Sequence, residues 1–212
     1  MLKMMNPSSK EHLMLRIRLS FLLLVWALTG CSIPYQTPQA LQQIERDLHL
    51  VHGSVQALAR TNWCYLPYGS GSGGDAQCHA VQGLGVLAGD GLILSTYSGG
   101  IYERFLTLKT SDVQCIKVFR DRAAPASFFV FTREVATQII PLTENGQFDT
   151  YAKIRFLDYL AGQSQMSRVN SDRDYVRENG RIDSHVSTIP GTKITIVTTI
   201  AATEVFNPCP EK

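Results

Sequence analysis

The stretch VQGLGVLAGDGLILSTYSGGIYERFLTLK, residues 81–109, decides the fold class. Its apolar residues leave the helical period of about 3.6 for one near two, and two turn signals, Asp90-Gly91 and Ser98-Gly99-Gly100, interrupt it at short intervals. A period of two sends alternate side chains to opposite faces of a strand. Asp-Gly and Gly-Gly accept the positive φ that two-residue hairpin loops require. The stretch therefore reads as a meander with strands at 82–88, 92–97 and 101–109.

Downstream the pattern continues. Asn145-Gly146 and Asn179-Gly180 punctuate further alternating runs, and strands are predicted at 113–120, 127–133, 136–143, 147–156, 173–178, 181–188 and 192–206. SFFVF, 127–131, is apolar throughout, as a central strand buried on both faces would be. TKITIVTTI, 192–200, sets Ile194, Ile196 and Ile200 against Lys193, Thr195 and Thr199, the pattern of a half-buried strand. QFDTYAKIRF, 147–156, supports two readings. It alternates like a strand, yet Asp149 is placed to cap a helix with the stripe Tyr151, Ile154, Leu157 and Ala161. The adjoining Asn-Gly turn favours the strand, with a short helix at 157–161. Residues 163–185 mix charges of both signs and read as a solvated hairpin. The result is a mainly β chain whose antiparallel, hairpin-rich sheet forms a sandwich or barrel. If 147–162 is helical throughout, the alternative is a small sheet closed by a helix, of the pleckstrin-homology-like kind.

Upstream of residue 81 the period is helical. Thr37 followed by Pro38 is the cap-then-proline order of a helix start. Leu41, Ile44, Leu48, Val51, Val55 and Leu58 then form a heptad-like seam, so an amphipathic helix is expected over 37–60. The seam either lies on its own domain or, through Leu48 and Val51, meets a partner. His49 and His52 share this helix without an evident third ligand, and no metal is expected. The loop TNWCYLPYGSGSGGDAQCHA, 61–80, crowds Trp63, Tyr65 and Tyr68 at one end, where they either contact a partner or cover the edge of the core. Gly69, Gly71 and Gly74 match G-x-G-x-x-G in form only. No strand is expected before them and cysteines bracket them, so no nucleotide cofactor is expected.

The first thirty residues carry an export signal. Arg16 and Arg18 precede LSFLLLVWALTG, 19–30, which falls short of the roughly 20 residues a spanning helix needs. Small residues, Thr29 and Gly30, follow the apolar run, and Cys31 comes next. Leu28, Thr29, Gly30 and Cys31 resemble the lipobox of bacterial lipoproteins. That resemblance implies cleavage before Cys31, a diacylglycerol on its thiol and acylation of the new amino terminus, so that several chains hold the protein on a membrane without spanning it. Ser32, where an Asp would favour inner-membrane retention, points to the outer membrane facing the periplasm. Either Met1 or Met14 serves as the start. The expected organisation is a signal peptide at 1–30, a lipidated tether at 31–36, the helix at 37–60 and a β domain at 61–212.

Lipidation of Cys31 leaves Cys64, Cys78, Cys115 and Cys209, an even number for an oxidising compartment. Cys64 with Cys78 and Cys115 with Cys209 is the preferred pairing; free thiols or a metal site is the alternative. The chain holds 20 basic and 18 acidic residues. Four of the bases and one acid precede Cys31, leaving 16 against 17 and no basic excess for nucleic acid. No G-x-S-x-G, H-E-x-x-H or phosphate-loop pattern is present, and His79 and His185 stand alone in the β region, so the chain is not expected to be an enzyme. The expected function is structural support or protein interaction at the cell envelope, without a cofactor. A small or apolar ligand held inside a β barrel, lined by Phe129, Phe131 and Ile194, is the alternative.

Overall fold

A computed structural model describes residues 33–70, 80–89, 91–119, 127–162, 165–169 and 175–210. The lipobox-like residues 28–31, Cys78, His79 and the glycine-rich residues 71–74 lie outside the described residues. The described chain is mainly β. Its elements are α1 (Pro38–Asp47), β1 (Val55–Pro67), β2 (Val81–Ala88), β3 (Gly91–Ser98), β4 (Ile101–Lys109), β5 (Cys115–Phe119), β6 (Phe128–Phe131), β7 (Val135–Leu142), α2 (Thr150–Ala161), β8 (Gln165–Val169), β9 (Val176–Thr188) and β10 (Thr195–Val205).

Seven antiparallel strands lie in the order β4-β3-β2-β1-β7-β6-β5, and β8 adds in parallel beside β5. The sheet is open, and no barrel closes among the described residues. The meander forms as local chemistry requires. Gly99 and Gly100 both take positive φ, 60° and 84°, and Ser98 pairs with Ile101 across them. SFFVF supplies β6, flanked by β5 and β7, with every side chain from Phe128 to Phe131 buried.

Three expectations are corrected. The helix expected over 37–60 stops at Asp47. His49 adopts a positive φ of 55° and Gly53 one of 76°, which turns the chain, and the buried Glu45 carboxylate accepts the Gly53 N–H at 2.8 Å. The chain then enters β1, the central strand, which pairs with both β2 and β7. Residues 61–67 are therefore strand and not loop. The second correction is at 147–156. Asp149 caps α2, its Oδ1 accepting Ala152 N–H at 2.9 Å, but the buried face is Ala152, Phe156, Leu157 and Leu160, while Tyr151 and Ile154 are exposed. One cap outweighs the strand-like alternation because α2 can bury Phe156 against the sheet. Third, Asn179-Gly180 is not a hairpin turn. Ile182 pairs with Ala201 and Glu178 with Thr203, so residues 179–181 bulge opposite Ala202 within one long strand.

One face of the sheet and α2 enclose a core built on Trp63, Leu94, Ile116, Phe128, Ile139 and Phe156. Its tightness depends on glycine. A Cβ on Gly83 would stand 2.0 Å from the Ser95 carbonyl oxygen and 2.5 Å from Trp63 Cη2, and one on Gly85 would stand 2.9 Å from Phe156 Cε2. The second face carries Cys64, Leu66, Cys115, Phe129, Phe131, Ala136 and Val205.

Candidate interaction surface

β9 and β10 form a two-stranded ribbon separate from the large sheet. The sequence folds this way because β-branched residues fill most of β10 and a Pro-Gly turn joins it to β9. Thr192 N–H donates to Ile189 O at 3.1 Å across Pro190-Gly191, with Gly191 at φ 81°, the type II arrangement.

The base of the ribbon is fixed to the sheet. Val205 donates its N–H to Ser70 O at 2.9 Å and accepts Gly69 N–H at 2.8 Å. Tyr175 lays its ring 4.5 Å from that of Phe129, and the Arg177 guanidinium lies 5.3 Å over Phe206. Cys115 and Cys209 are joined in a disulfide, with Cα atoms 5.7 Å apart, which ties the tail after β10 to β5. Cys64 is disulfide-bonded as well; its expected partner, Cys78, lies outside the described residues.

Beyond this base the ribbon runs free for roughly 25 Å. Cross-strand register places Ile182, Val186 and Val197 on one face and Ile196 and Ile200 on the other, with Ile189 and Ile194 following at the tip. These seven side chains are 38–72% exposed. Between Ile182 and Ile200 only Asp183 and Lys193 carry a full charge. A half-buried strand shows water one polar face; this ribbon shows it large apolar side chains on both faces, set among serines, threonines and Asp183. Contiguous exposed apolar surface of this kind marks an interaction site.

The residues singled out from sequence fare differently. Leu48 closes the end of α1 and is 1% exposed, and Trp63 is equally buried, so neither forms a surface. Tyr68 is half-buried and donates its hydroxyl to Thr132 O at 2.8 Å, and burial pushes its phenol far above the ordinary value of 10. Val51 is 78% exposed in the turn after α1, and Tyr65 is exposed edge-on to Phe105, their ring centroids 6.4 Å apart. His52 Nδ1 stands 2.7 Å from Glu45 Oε2, and this bond, aided by Gly53 N–H and opposed by burial, holds the Glu45 carboxyl below its ordinary range. Among the described residues no group of three potential metal ligands occurs. The structure thus does not assemble the five sequence candidates into one site.

Phe129 and Phe131 are buried and stack on one another with centroids 5.8 Å apart, while Ile194 stands exposed near the ribbon tip, so the three do not meet. An open cleft of about 410 Å³ lies elsewhere, between the end of β4 and the β6–β7 turn, where Tyr65, Thr107, Asp112, Arg133 and Glu134 line it. No protein-family model matches the chain, and no curated protein matches it.

Proposed function

We propose that the chain is a lipid-anchored protein of the bacterial cell envelope that acts without catalysis, as a docking module for another protein. Acylated Cys31 holds it on the membrane, the outer membrane facing the periplasm, and the β9–β10 ribbon is the contact surface. The ribbon carries this reading: seven large apolar side chains stand exposed on its two faces and at its tip, and a disulfide roots it in the fold. The Cys115–Cys209 bridge fits an oxidising compartment.

The test is a photo-crosslinking residue at Val197 in intact envelopes, with Lys109 as the control position. An adduct with a protein at Val197 but not at Lys109 is expected. Equal labelling at both positions, or none, would remove the ribbon as a docking surface. Mass spectrometry of the purified amino terminus checks the anchor, which predicts a triacylated Cys31 and no leader. The cleft beside Tyr65 favours a second reading, a small-molecule binder, whose mark would be a ligand-induced rise in melting temperature that Tyr65→Ala abolishes.

A further inference from the structure

We infer that the partner of the ribbon is a second copy of this chain, joined through the edge of β10 that no described strand pairs with; the inference rests on the docking role proposed above. Exposed strand edges invite pairing, and natural proteins blunt them with charge, proline, bulges, shortness or a covering element. The other edges here follow that rule. β4 carries Glu103, Arg104 and Lys109, and α1 covers its start, Asp47 Oδ2 accepting Tyr102 N–H at 3.2 Å. β8 is five residues long. β9 has the bulge at 179–181 together with Arg177, Glu178, Arg181 and Asp183. Over its outer seven residues β10 has none of these devices. From Thr195 to Ala201 it reads Thr-Ile-Val-Thr-Thr-Ile-Ala, every residue exposed, without a charge, a proline or a glycine.

The backbone of this edge also defines a register. Ile189 N–H donates inward to Ile194 O at the tip, whereas Val205 turns its N–H and C=O away from β9, toward Gly69 and Ser70. Alternation along the strand then points the N–H and C=O of Thr195, Val197, Thr199 and Ala201 outward, away from β9. Two copies paired antiparallel about Thr198 match each of these with an equally outward residue: Thr195 with Ala201 and Val197 with Thr199, for about eight hydrogen bonds. The same register sets Ile196 of one copy opposite Ile200 of the other on a shared face, forming a four-isoleucine cluster. An isologous two-fold contact is the commonest form of self-association.

Side chains along that edge add apolar contact: Ile196, Val197 and Ile200 of β10 are 46%, 61% and 38% exposed, whereas Ile182 and Val186 lie on β9, away from the seam. Hydrocarbon would cover the side chains but leave the outward donors and acceptors without partners, which disfavours a bilayer as the occupant.

The test uses the full chain in its own envelopes. Residues opposite one another at a non-hydrogen-bonded position lie about 4.5 Å apart, within disulfide reach. Thr198→Cys should give a disulfide-linked dimer on oxidation, at least tenfold more than Ser184→Cys on β9, and adding Val197→Pro should abolish it while the melting transition persists. No dimer with Thr198→Cys, or equal dimer with Ser184→Cys, overturns the inference. The Val197 photo-adduct separates the two levels. An adduct of twice the chain mass supports both, one with a different protein retains docking and overturns self-pairing, and none overturns both.

Discussion

The eight-stranded sheet and the β9–β10 ribbon are built from the same kinds of residue and meet opposite fates. In the sheet, Phe128, Val130, Ile139 and Leu94 are buried against α2 or against the neighbouring strands. In the ribbon, Ile182, Val186, Ile196 and Val197 stand in water, although their strands pair as regularly. A strand is thus a local consequence of β-branched alternation, whereas burial of its side chains requires a second layer. The sheet has α2 on one face and the Val205 cluster on the other; the free part of the ribbon has neither.

Breaking the link between the two regions should have the largest effect. Replacing both Cys115 and Cys209 by Ala removes a crosslink between residues 94 apart, and chain entropy puts the loss at about 4–5 kcal/mol, to be read from urea unfolding. Close behind comes Phe156→Ala, which empties the centre of the α2–sheet core and should cost about 3–5 kcal/mol. Its counterpart in the ribbon, Ile196→Ala, should change folding stability by less than about 0.5 kcal/mol while weakening the Val197 crosslink. A loss at Ile196 equal to that at Phe156 would erase the contrast between the regions. Gly83→Ala should cost about 1–3 kcal/mol, because its new methyl must displace the Ser95 carbonyl or Trp63; an unchanged melting point would show that β2 and β3 separate easily.

The smallest effect is expected from pH, and it concerns only the turn that joins α1 to β1. The Glu45 carboxyl ionises more readily in the folded chain than its ordinary value of 4.5, through the bond from His52 first. Between the two values the unfolded state binds more protons, so this contribution is complete above about pH 4.5 and is lost as pH falls through the folded value. Glu45→Gln should flatten that part of the stability profile below pH 4.5, measured by chemical denaturation across the acid range.

Much of the fold was legible before any coordinates. The meander over 81–109 follows from turn glycines and alternation within single hairpins, and the central place of 127–131 follows from its unbroken apolar run. The site was far less legible. The seam from Leu41 to Leu58 satisfies helical spacing, but its second half lies beyond the turn at His49 and Gly53. The true alternation of β1, with Ala57, Ala59, Thr61 and Trp63 on the core side, is muted by two alanines and a threonine. Glycines at 83 and 85 could have signalled it, since strand glycines mark close approach by a neighbour, here Trp63 and Phe156. Residues 192–200 read as a half-buried strand because alternation reports which side chains share a face but not whether anything covers it.

By itself, then, the amino-acid order determined what neighbours along the chain can settle: the β character, the hairpins of the meander and the Thr37 cap. Tertiary structure decided what depends on residues distant in sequence: that 55–60 is strand and not helix and 61–67 strand and not loop, that 150–161 is a helix turning Phe156 inward and Tyr151 outward, and that the isoleucines of β10 stand exposed. The physical reason is range. Turn and cap energies act within a few residues, whereas burial is set by whichever surfaces the whole chain brings together.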